Sequence, residues 1–506
     1  MSFTSYGFIG IICLLTVVYY LIPKQFQWWL LLIASYALYL RAGHGYVYFL
    51  LATTIITYLS GVGMKSTRFS KNSQKAVFVL GLLMDLGLLI VMKYTNFLVE
   101  NLNGILSALH ATGRISYFDL ILPLGISFYT FMAIGYLMDV RGEKYEPQSN
   151  PFRLALFLSF FPAISQGPIS RYDELSKTLY GNHTFAWERM KEALLRILWG
   201  YFKKLVIADR VAVGLQTMVA APGDYRGGYV VLAMIFFALQ LYADFTGGID
   251  ITIGIAKLFG VELVENFDAP YASKSVKEYW RRWHMTMGTW FRDYLMYPLL
   301  RAGWMEKIRE GVKKKWGKKA SKRFTTNLAT IIVWLATGIW HGASWNRVLW
   351  GLLNCFFIVA SVECEPIYSR LDEKTGYRKR KWYPVLAIAR TLVVMSVLRM
   401  FECFPKAGET LMLLGSLFTT WNYGEVCTIG WLSLGLSKVD YVILAVGVMI
   451  VWTVSLCKAR GITMKVVSKR SYGLSLGLVM ALVIMVLVFG TYGHGYDASA
   501  FIYNQF

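Results

Sequence analysis

Apolar residues along this chain gather into blocks of roughly 17 to 25 residues, the length at which an α-helix spans a bilayer. Charged residues lie mainly between the blocks. The pattern predicts an all-α polytopic membrane protein with about 11 to 13 transmembrane helices plus re-entrant or interfacial ones. The predicted apolar segments lie near residues 6–22, 27–41, 46–62, 77–93, 117–138, 152–166, 192–216, 228–243, 325–341, 345–363, 383–403, 439–457 and 474–490.

The charge pattern predicts an orientation in the membrane. The chain has 506 residues, is 56% hydrophobic and carries a net charge of +22, which in so apolar a sequence indicates basic residues retained on the cytoplasmic side rather than nucleic-acid binding. The first apolar block has no basic residue before it, so we interpret it as a retained helix and not a cleaved signal. We expect the amino terminus outside and membrane lipid as a partner. The basic clusters lie within 65–75, 274–323, 370–381 and 458–470.

The longest basic stretch, residues 274–323, has a distinct composition. It holds 15 lysines and arginines, and six tryptophans, tyrosines and phenylalanines stand among the charges between 280 and 297. Such a mixture is typical of an interfacial or re-entrant element rather than of a spanning helix. We therefore predict that this stretch lies on the cytoplasmic side.

The sequence IWHGASW, Ile339 to Trp345, places a histidine between two apolar runs. Since basic residues precede the first run and follow the second, the two runs are predicted to form a helical hairpin with its turn towards the outer leaflet. Seventeen residues from Thr325 to His341 cover roughly 25 Å as helix. His341 is thus expected just short of the outer surface, at the floor of a pit.

Two of the six histidines, His284 and His341, each follow a tryptophan in a dense aromatic setting. An ionisable group at membrane depth indicates a functional site, although a structural hydrogen bond between helices is the plainer alternative. Their separation of 57 residues fits no zinc signature, so we predict no metal site. Ser344 lacks a G-x-S-x-G setting, so a packing or helix-capping role is favoured over a covalent serine. A lone imidazole suits general-base chemistry on a hydroxyl.

Other marked stretches contain helix breakers or acids. LPLGISFYTF (122–131) and SFFPAISQGPISRY (159–172, including Pro168) predict broken helices at membrane depth, which are tolerated where they are buried in protein or line a cavity; an ordinary kink is the alternative. Asp244 and Asp250 lie in an apolar segment and predict an ion site, a proton relay or pairing with the basic 274–323 stretch.

At these motifs the chain resembles the membrane-bound O-acyltransferase family, in its bacterial alginate O-acetyltransferase branch. The matching stretches are MSFTSYGFIG, FFPAISQGPISRY, the block from Tyr242 to Leu299, GIWHGASWNRVLWGLLN and the terminal SAFIYNQF. The resemblance implies one domain over 1–506: amino-terminal helices (1–115), a catalytic core (116–365) containing a basic re-entrant segment (264–323), and carboxyl-terminal helices (366–506). It also implies tilted helices around an outer funnel, an inner cavity and a connecting tunnel.

The resemblance further implies that His341 is the catalytic residue and His284 the second functional histidine. Further candidates, for the tunnel wall or for substrate contacts, are Trp340, Trp283, Ser344, Pro168 and Asp244. The implied reaction is O-acyl transfer, with acetyl expected, in the bacterial cytoplasmic membrane and without a tightly bound cofactor. The donor would be acetyl-CoA or an acyl-carrier thioester, and the outer acceptor a partner protein or a polysaccharide.

Two alternatives stay open at this point. One is D-alanyl transfer from a carrier protein to teichoic acid, the activity of a close relation in the same family. The other, from a different class, is a non-catalytic transporter or flippase, against which stands the lack of an internal hydropathy repeat.

Overall fold

The computed structural model describes residues 3–111, 113–462, 466 and 472–493, and its regular structure there is helical, with no strand. The terminal stretch SAFIYNQF lies outside the described residues. The helices are α1 (Tyr6–Leu21), α2 (Gln27–Ala42), α3 (Tyr46–Lys65), α4 (Lys71–Ala108), α5 (Ile126–Arg141), α6 (Pro151–Ser159), α7 (Tyr172–Leu179), α8 (Trp187–Tyr201), α9 (Asp209–Ala220), α10 (Gly228–Leu258), α11 (Val276–Arg282), α12 (Met285–Phe291), α13 (Tyr297–Arg301), α14 (Gly303–His341), α15 (Trp345–Glu363), α16 (Glu365–Thr375), α17 (Tyr383–Cys403), α18 (Ala407–Thr419), α19 (Tyr423–Thr428), α20 (Lys438–Ala459) and α21 (Tyr472–Phe489).

Six of the described helices are long and apolar enough to cross a membrane: α3, α4, α10, α15, α17 and α20. Two shorter apolar helices, α1 and α21, add to them. Their exposed surfaces carry many large apolar side chains, as expected for helices that face lipid. The predicted all-α polytopic class is confirmed, while the number of spanning helices stays a prediction.

The two predicted helix breaks are confirmed, and they shorten the predicted spans 117–138 and 152–166. The first helix begins only after Gly125, and the second ends at Ser159. Gly125 adopts φ 72°, where a side chain is strained, and a Cβ there would also strike the carbonyl oxygen of Ile164. The two interrupted stretches therefore pack directly against each other, and glycine is required at their contact.

The basic stretch 274–323 forms short helices and the first part of α14, not a span. Within α14, Gly317 has φ 81° and ψ 169°, so it divides the helix into two parts. The chain folds back at this point. The two parts lie side by side, as shown by the hydroxyl of Ser321, which donates to the carbonyl of Arg309 at 2.6 Å. We call residues 303–316 the basic arm.

The predicted hairpin of α14 and α15 is confirmed, with its turn between His341 and Trp345. The two helices approach closely where Gly338 faces Gly351, since a Cβ on Gly338 would stand 3.3 Å from the Cα of Gly351. Small residues at such a crossing let two backbones meet. His341 therefore lies at the end of the hairpin, close to the point where α14 and α15 are packed tightly together.

Candidate active site

His341 is the last residue of α14, and its side chain is buried. Its imidazole packs edge-on against two indoles, with ring centroids 4.9 Å from Trp340 and 4.8 Å from Trp350. The histidine is thus enclosed by aromatic rings instead of lying in bulk water.

Helix α4 supplies donors to the end of α14. The last carbonyl groups of a helix have no partner within it and carry the negative end of its dipole. Lys93 Nζ donates to the Trp340 carbonyl at 2.6 Å, and the Tyr94 hydroxyl donates to the Ile339 carbonyl at 2.8 Å. These two residues fix the backbone immediately before His341.

Helix α17 holds the other side of the turn through a buried ionic triad. Glu402 pairs with Arg347 of the hairpin at 3.3 Å, and its other oxygen accepts from Arg399. The side chain of Glu402 is 2% exposed, so both contacts lie in a medium where unpaired charge is very unfavourable. In addition, Asn346 Nδ2 donates to the Phe404 carbonyl.

The guanidinium of Arg399 lies among four aromatic rings, which we call the aromatic cage. Its Cζ lies 4.5 Å from the ring centroid of Trp283, 5.0 Å from that of Trp280, and 5.8 Å from those of Tyr279 and Trp350. Cation–π attraction stabilises such a desolvated arginine. The cage joins α17 to α11 and α15, and it places the predicted candidate Trp283 against Arg399.

His284 occupies the turn between α11 and α12 and is fully buried. Its backbone is left-handed, with φ 47° and ψ 54°, a conformation that few residues other than glycine adopt. Such strain persists only where surrounding contacts impose it, and it concentrates at functional sites. The ring packs edge-on against Phe245, with centroids 5.1 Å apart.

Asn266 organises this turn. Its Oδ1 accepts from the Thr286 amide at 3.0 Å and the Thr286 hydroxyl at 2.9 Å, and it lies 3.3 Å from His284 Nδ1. The Thr286 hydroxyl also accepts from the amide of Ile169 at 3.0 Å. The predicted candidate Pro168 therefore directly precedes a residue whose backbone is hydrogen-bonded to the segment around His284.

Trp340 brings the two predicted histidines together. Its ring centroid lies 4.9 Å from that of His341 and 6.3 Å from that of His284. The indole also stacks on the ring of Phe131, with centroids 5.1 Å apart. The histidines thus share one buried aromatic wall despite their separation in sequence.

Of the alternatives for the two acids in α10, the structure shows ion pairing, but the partners do not lie in the basic 274–323 stretch. Asp244 pairs with Lys204 at 2.5 Å, and Asp250 pairs with Lys203 at 2.5 Å. Both lysines belong to the π-helical segment Phe202–Ala208 and not to the basic 274–323 stretch, because α8 and α10 pack side by side. These buried pairs lie in the helix packing, and the predicted place of Asp244 at the tunnel wall stays a prediction.

Ser344 caps α15, since its hydroxyl accepts from the Arg347 amide at 3.4 Å. The prediction of helix capping is therefore confirmed. The predicted role of Ser344 in substrate contact stays a prediction.

Sequence reasoning missed Lys93, Asn266 and the pair Arg399 and Glu402. A signal existed for the last two, because an arginine and a glutamate three residues apart inside an apolar run can pair on one helix face. Lys93 lies at the end of the predicted span 77–93, where a lysine indicates only the end of a membrane-spanning segment. Asn266 carried no pattern of its own.

The chain was compared with known proteins. Residues 143–310 match the sequence model of MBOAT, the membrane-bound O-acyltransferase family. The chain is 32% identical over 333 residues to the probable alginate O-acetylase of Azotobacter vinelandii, which is 66% of this chain and 63% of that protein. It is 30% identical over 380 residues to the peptidoglycan O-acetyltransferase of Helicobacter pylori, 70% of this chain and 67% of that protein.

A third similarity is to the teichoic acid D-alanyltransferase of Bacillus subtilis, 29% identical over 282 residues, which is 54% of this chain and 66% of that protein. The chain spans 60% to 64% of the length of the alginate O-acetylases that it matches. The family match includes His284 and ends before His341.

Proposed function

Because the chain belongs to the membrane-bound O-acyltransferase family, we propose that it transfers an acyl group from a thioester to a hydroxyl group. The observation that carries this proposal is the pairing of two buried histidines around Trp340, one at a helix end and one in a strained turn. The proposed acyl group is acetyl, as in the names of the alginate and peptidoglycan relatives.

In the proposed reaction His341 acts as general base. Its neutral imidazole takes the proton of the acceptor hydroxyl while the hydroxyl oxygen attacks the thioester carbonyl carbon. The carbon–sulfur bond then breaks, and the leaving thiolate takes the proton back from His341. The reaction therefore needs no external acid, base or metal ion, and the ester and the free thiol are its products.

The role proposed for His284 is to orient the thioester or the catalytic ring. Three features support it: complete burial, the left-handed backbone and the connection through Trp340 to His341. A residue held this firmly is suited to positioning, because its side chain has few alternative conformations. Trp283 and Pro168 would form part of the wall of the proposed tunnel.

The donor is proposed to approach from the cytoplasmic side as acetyl-CoA or an acyl-carrier thioester. Exposed lysines on and after the basic arm support an anionic donor through electrostatic attraction; they are Lys313, Lys314, Lys315, Lys318 and Lys319. Contact with anionic lipid headgroups is the simpler role for the same charges. In this arrangement the protein is a multi-pass protein of the bacterial cytoplasmic membrane with its amino terminus outside.

The acceptor is proposed to be a hydroxyl of an exopolysaccharide, of a cell-wall polymer, or of an extracytoplasmic partner protein that modifies such a polymer. The relatives named for alginate and for peptidoglycan support a polymer as the final acceptor. The predicted outward position of the hairpin turn would let such a hydroxyl reach His341.

The test is transfer of label from acetyl-CoA by the purified protein in vesicles, with candidate acceptors outside. We expect His341→Ala to lower the rate by about 10²- to 10⁴-fold, the contribution of a general base. His44→Ala is the matched control, because His44 is exposed and distant in sequence from either motif. Undiminished transfer by His341→Ala would contradict the proposal, and movement of label without any acylated product would favour a transporter.

D-alanyl transfer is the second candidate, favoured by the similarity to the Bacillus subtilis protein. The same vesicles separate the two when acetyl-CoA is replaced by a D-alanyl thioester of a carrier protein. Consumption of the second donor alone would assign D-alanyl transfer to the same histidines.

A further inference from the structure

The two indoles that flank His341 have N–H groups without a hydrogen-bond partner among the described residues. They are those of Trp340, which is 6% exposed, and Trp350, which is fully buried. Both rings lie within 5 Å of the imidazole, centroid to centroid. In a buried site of a membrane protein, an unsatisfied donor is unfavourable and calls for an explanation.

Neighbouring tryptophans differ in this respect. Their indole N–H groups donate to protein oxygens: Trp280 to Asn354 Oδ1 (2.9 Å), Trp290 to the Phe131 carbonyl (2.8 Å) and Trp345 to Asn101 Oδ1 (2.8 Å). The fold thus satisfies these three indole donors but leaves unsatisfied the two in contact with His341. The simplest account is that a hydrogen-bond acceptor from outside the chain completes them.

The proposed reaction supplies such an acceptor at that place. When a hydroxyl oxygen bonds to a thioester carbonyl carbon, the π electron pair moves onto the carbonyl oxygen, which becomes negative. Donors that are already positioned where this charge develops stabilise the transition state strongly. Nearby cations are engaged otherwise, since Lys93 donates to the Trp340 carbonyl and Arg399 pairs with Glu402.

Resting on the function proposed above, we propose that the indole N–H groups of Trp340 and Trp350 form the oxyanion site. They donate to the carbonyl oxygen of the acyl thioester while His341 holds the hydroxyl proton. When the carbon–sulfur bond breaks, the electron pair on oxygen restores the carbonyl, and the thiolate takes the proton from His341. No oxidant, reductant or metal ion enters this balance.

Arg399 strengthens one of these donors. Its guanidinium lies 5.8 Å from the ring centroid of Trp350. A cation beside an indole draws electron density from the ring, which makes the N–H more positive and a better donor. Arg399 therefore acts on the oxyanion site through Trp350, without touching the substrate itself.

The test removes the N–H group while keeping the shape of the ring. Replacing tryptophan by 3-benzothienylalanine exchanges the indole N–H for sulfur and leaves the bicyclic ring intact. We expect this exchange at Trp340 or at Trp350 to lower kcat by about 10- to 100-fold, because the donors act mainly in the transition state. The KM for acetyl-CoA should change less than about two-fold, since ground-state binding is little affected.

The matched control is the same exchange at Trp290, which is buried but whose N–H already has a protein partner. There we expect less than about a three-fold change in kcat, because no substrate contact is lost. Trp340→Phe and Trp350→Phe, checked for folding by thermal unfolding in detergent, provide a second pair of variants.

Unchanged kcat after the exchange at both Trp340 and Trp350 would overturn the proposal. An equal fall at Trp290 would also overturn it, because the loss would then be structural. Failure of the proposed function has a different signature: the unaltered protein would show no transfer that depends on His341. A fall in kcat at the two flanking positions alone supports the oxyanion site.

Discussion

The two histidine motifs of this protein are held in opposite ways. His341 ends a regular helix and is fixed by side chains of α4 and α17, which come from distant parts of the chain. His284 sits in a left-handed turn and is fixed by Asn266, only 18 residues away. One position depends on buried charges between helices, and the other depends on local hydrogen bonds and backbone conformation.

Because of this difference, the two motifs are destabilised by different kinds of substitution. Around His341, removal of one charge leaves its partner unpaired in a desolvated setting, which is among the largest single penalties in proteins. Around His284, removal of one acceptor leaves amide and hydroxyl donors unsatisfied, a smaller penalty. A substitution near His341 that removes a buried charge should therefore lower the free energy of unfolding more than a substitution near His284 that removes a hydrogen-bond acceptor.

The largest effect is expected for Glu402→Gln. Loss of the carboxylate removes the ion pairs that Glu402 makes with the buried guanidinium groups of Arg347 and Arg399, so the free energy of unfolding should fall by about 3 to 5 kcal/mol. Unfolding in detergent micelles measures it. Glu409→Gln is the control: its pair with the exposed Lys406, at 3.5 Å, should contribute less than about 1 kcal/mol. Equal effects of the two substitutions would remove the contrast on which the comparison rests.

The next effect is expected for Asn266→Ala. The Thr286 amide loses its acceptor and the His284 turn loses its organising group, so the free energy of unfolding should fall by about 2 to 3 kcal/mol. Transfer activity should fall with it, because the turn can then relax. Asn103→Ala, which removes hydrogen bonds to Ile115 on an exposed part of α4, serves as control. A stable but inactive Asn266 variant would show that Asn266 contacts substrate instead.

A third prediction compares the backbone conformations of His284 and His341. At His284, asparagine tolerates the left-handed conformation and valine does not, so the Val variant should be less stable than the Asn variant by about 1 to 3 kcal/mol. At His341, which has no left-handed backbone, the same two substitutions should differ little in stability. Unfolding midpoints of the four variants test this, and a similar Asn-to-Val gap at both positions would contradict it.

The smallest effect is expected for Lys93→Met. The Trp340 carbonyl loses its charged donor at the negative end of α14, which should lower the free energy of unfolding by about 1 kcal/mol. Lys93→Arg should restore most of the loss, because a donor and a positive charge return. Equal free energies of unfolding for the unaltered protein and for the Lys93→Met and Lys93→Arg variants would show that Lys93 does not stabilise the end of α14.

The pattern of apolar blocks was enough to predict the helical class, the α14–α15 hairpin and the two breaks near Gly125 and Ser159. Helix ends were less accurate, because they depend on tertiary contacts that a window of sequence does not contain. The predicted span 77–93, for example, belongs to α4, which runs from Lys71 to Ala108. Its contacts with the α14 carbonyls support the helix beyond the apolar block.

The two histidines were chosen as candidates because an ionisable residue in an aromatic, apolar setting is rare, and the structure places both rings near Trp340. The residues that hold them were not predictable, for a physical reason. Lys93 and Trp340 are 247 residues apart, and their contact exists only once α4 and α14 have packed. The pairing of Asp244 with Lys204 was missed likewise, because charge counting cannot choose among several basic segments.

The triad of Arg347, Glu402 and Arg399 also sets an order in biosynthesis. His341 leaves the ribosome about 60 residues before Glu402, so a growing chain that already contains the histidine lacks the carboxylate that fixes its turn. The turn that carries His341 thus gains its full set of contacts only after α17 has inserted beside the hairpin.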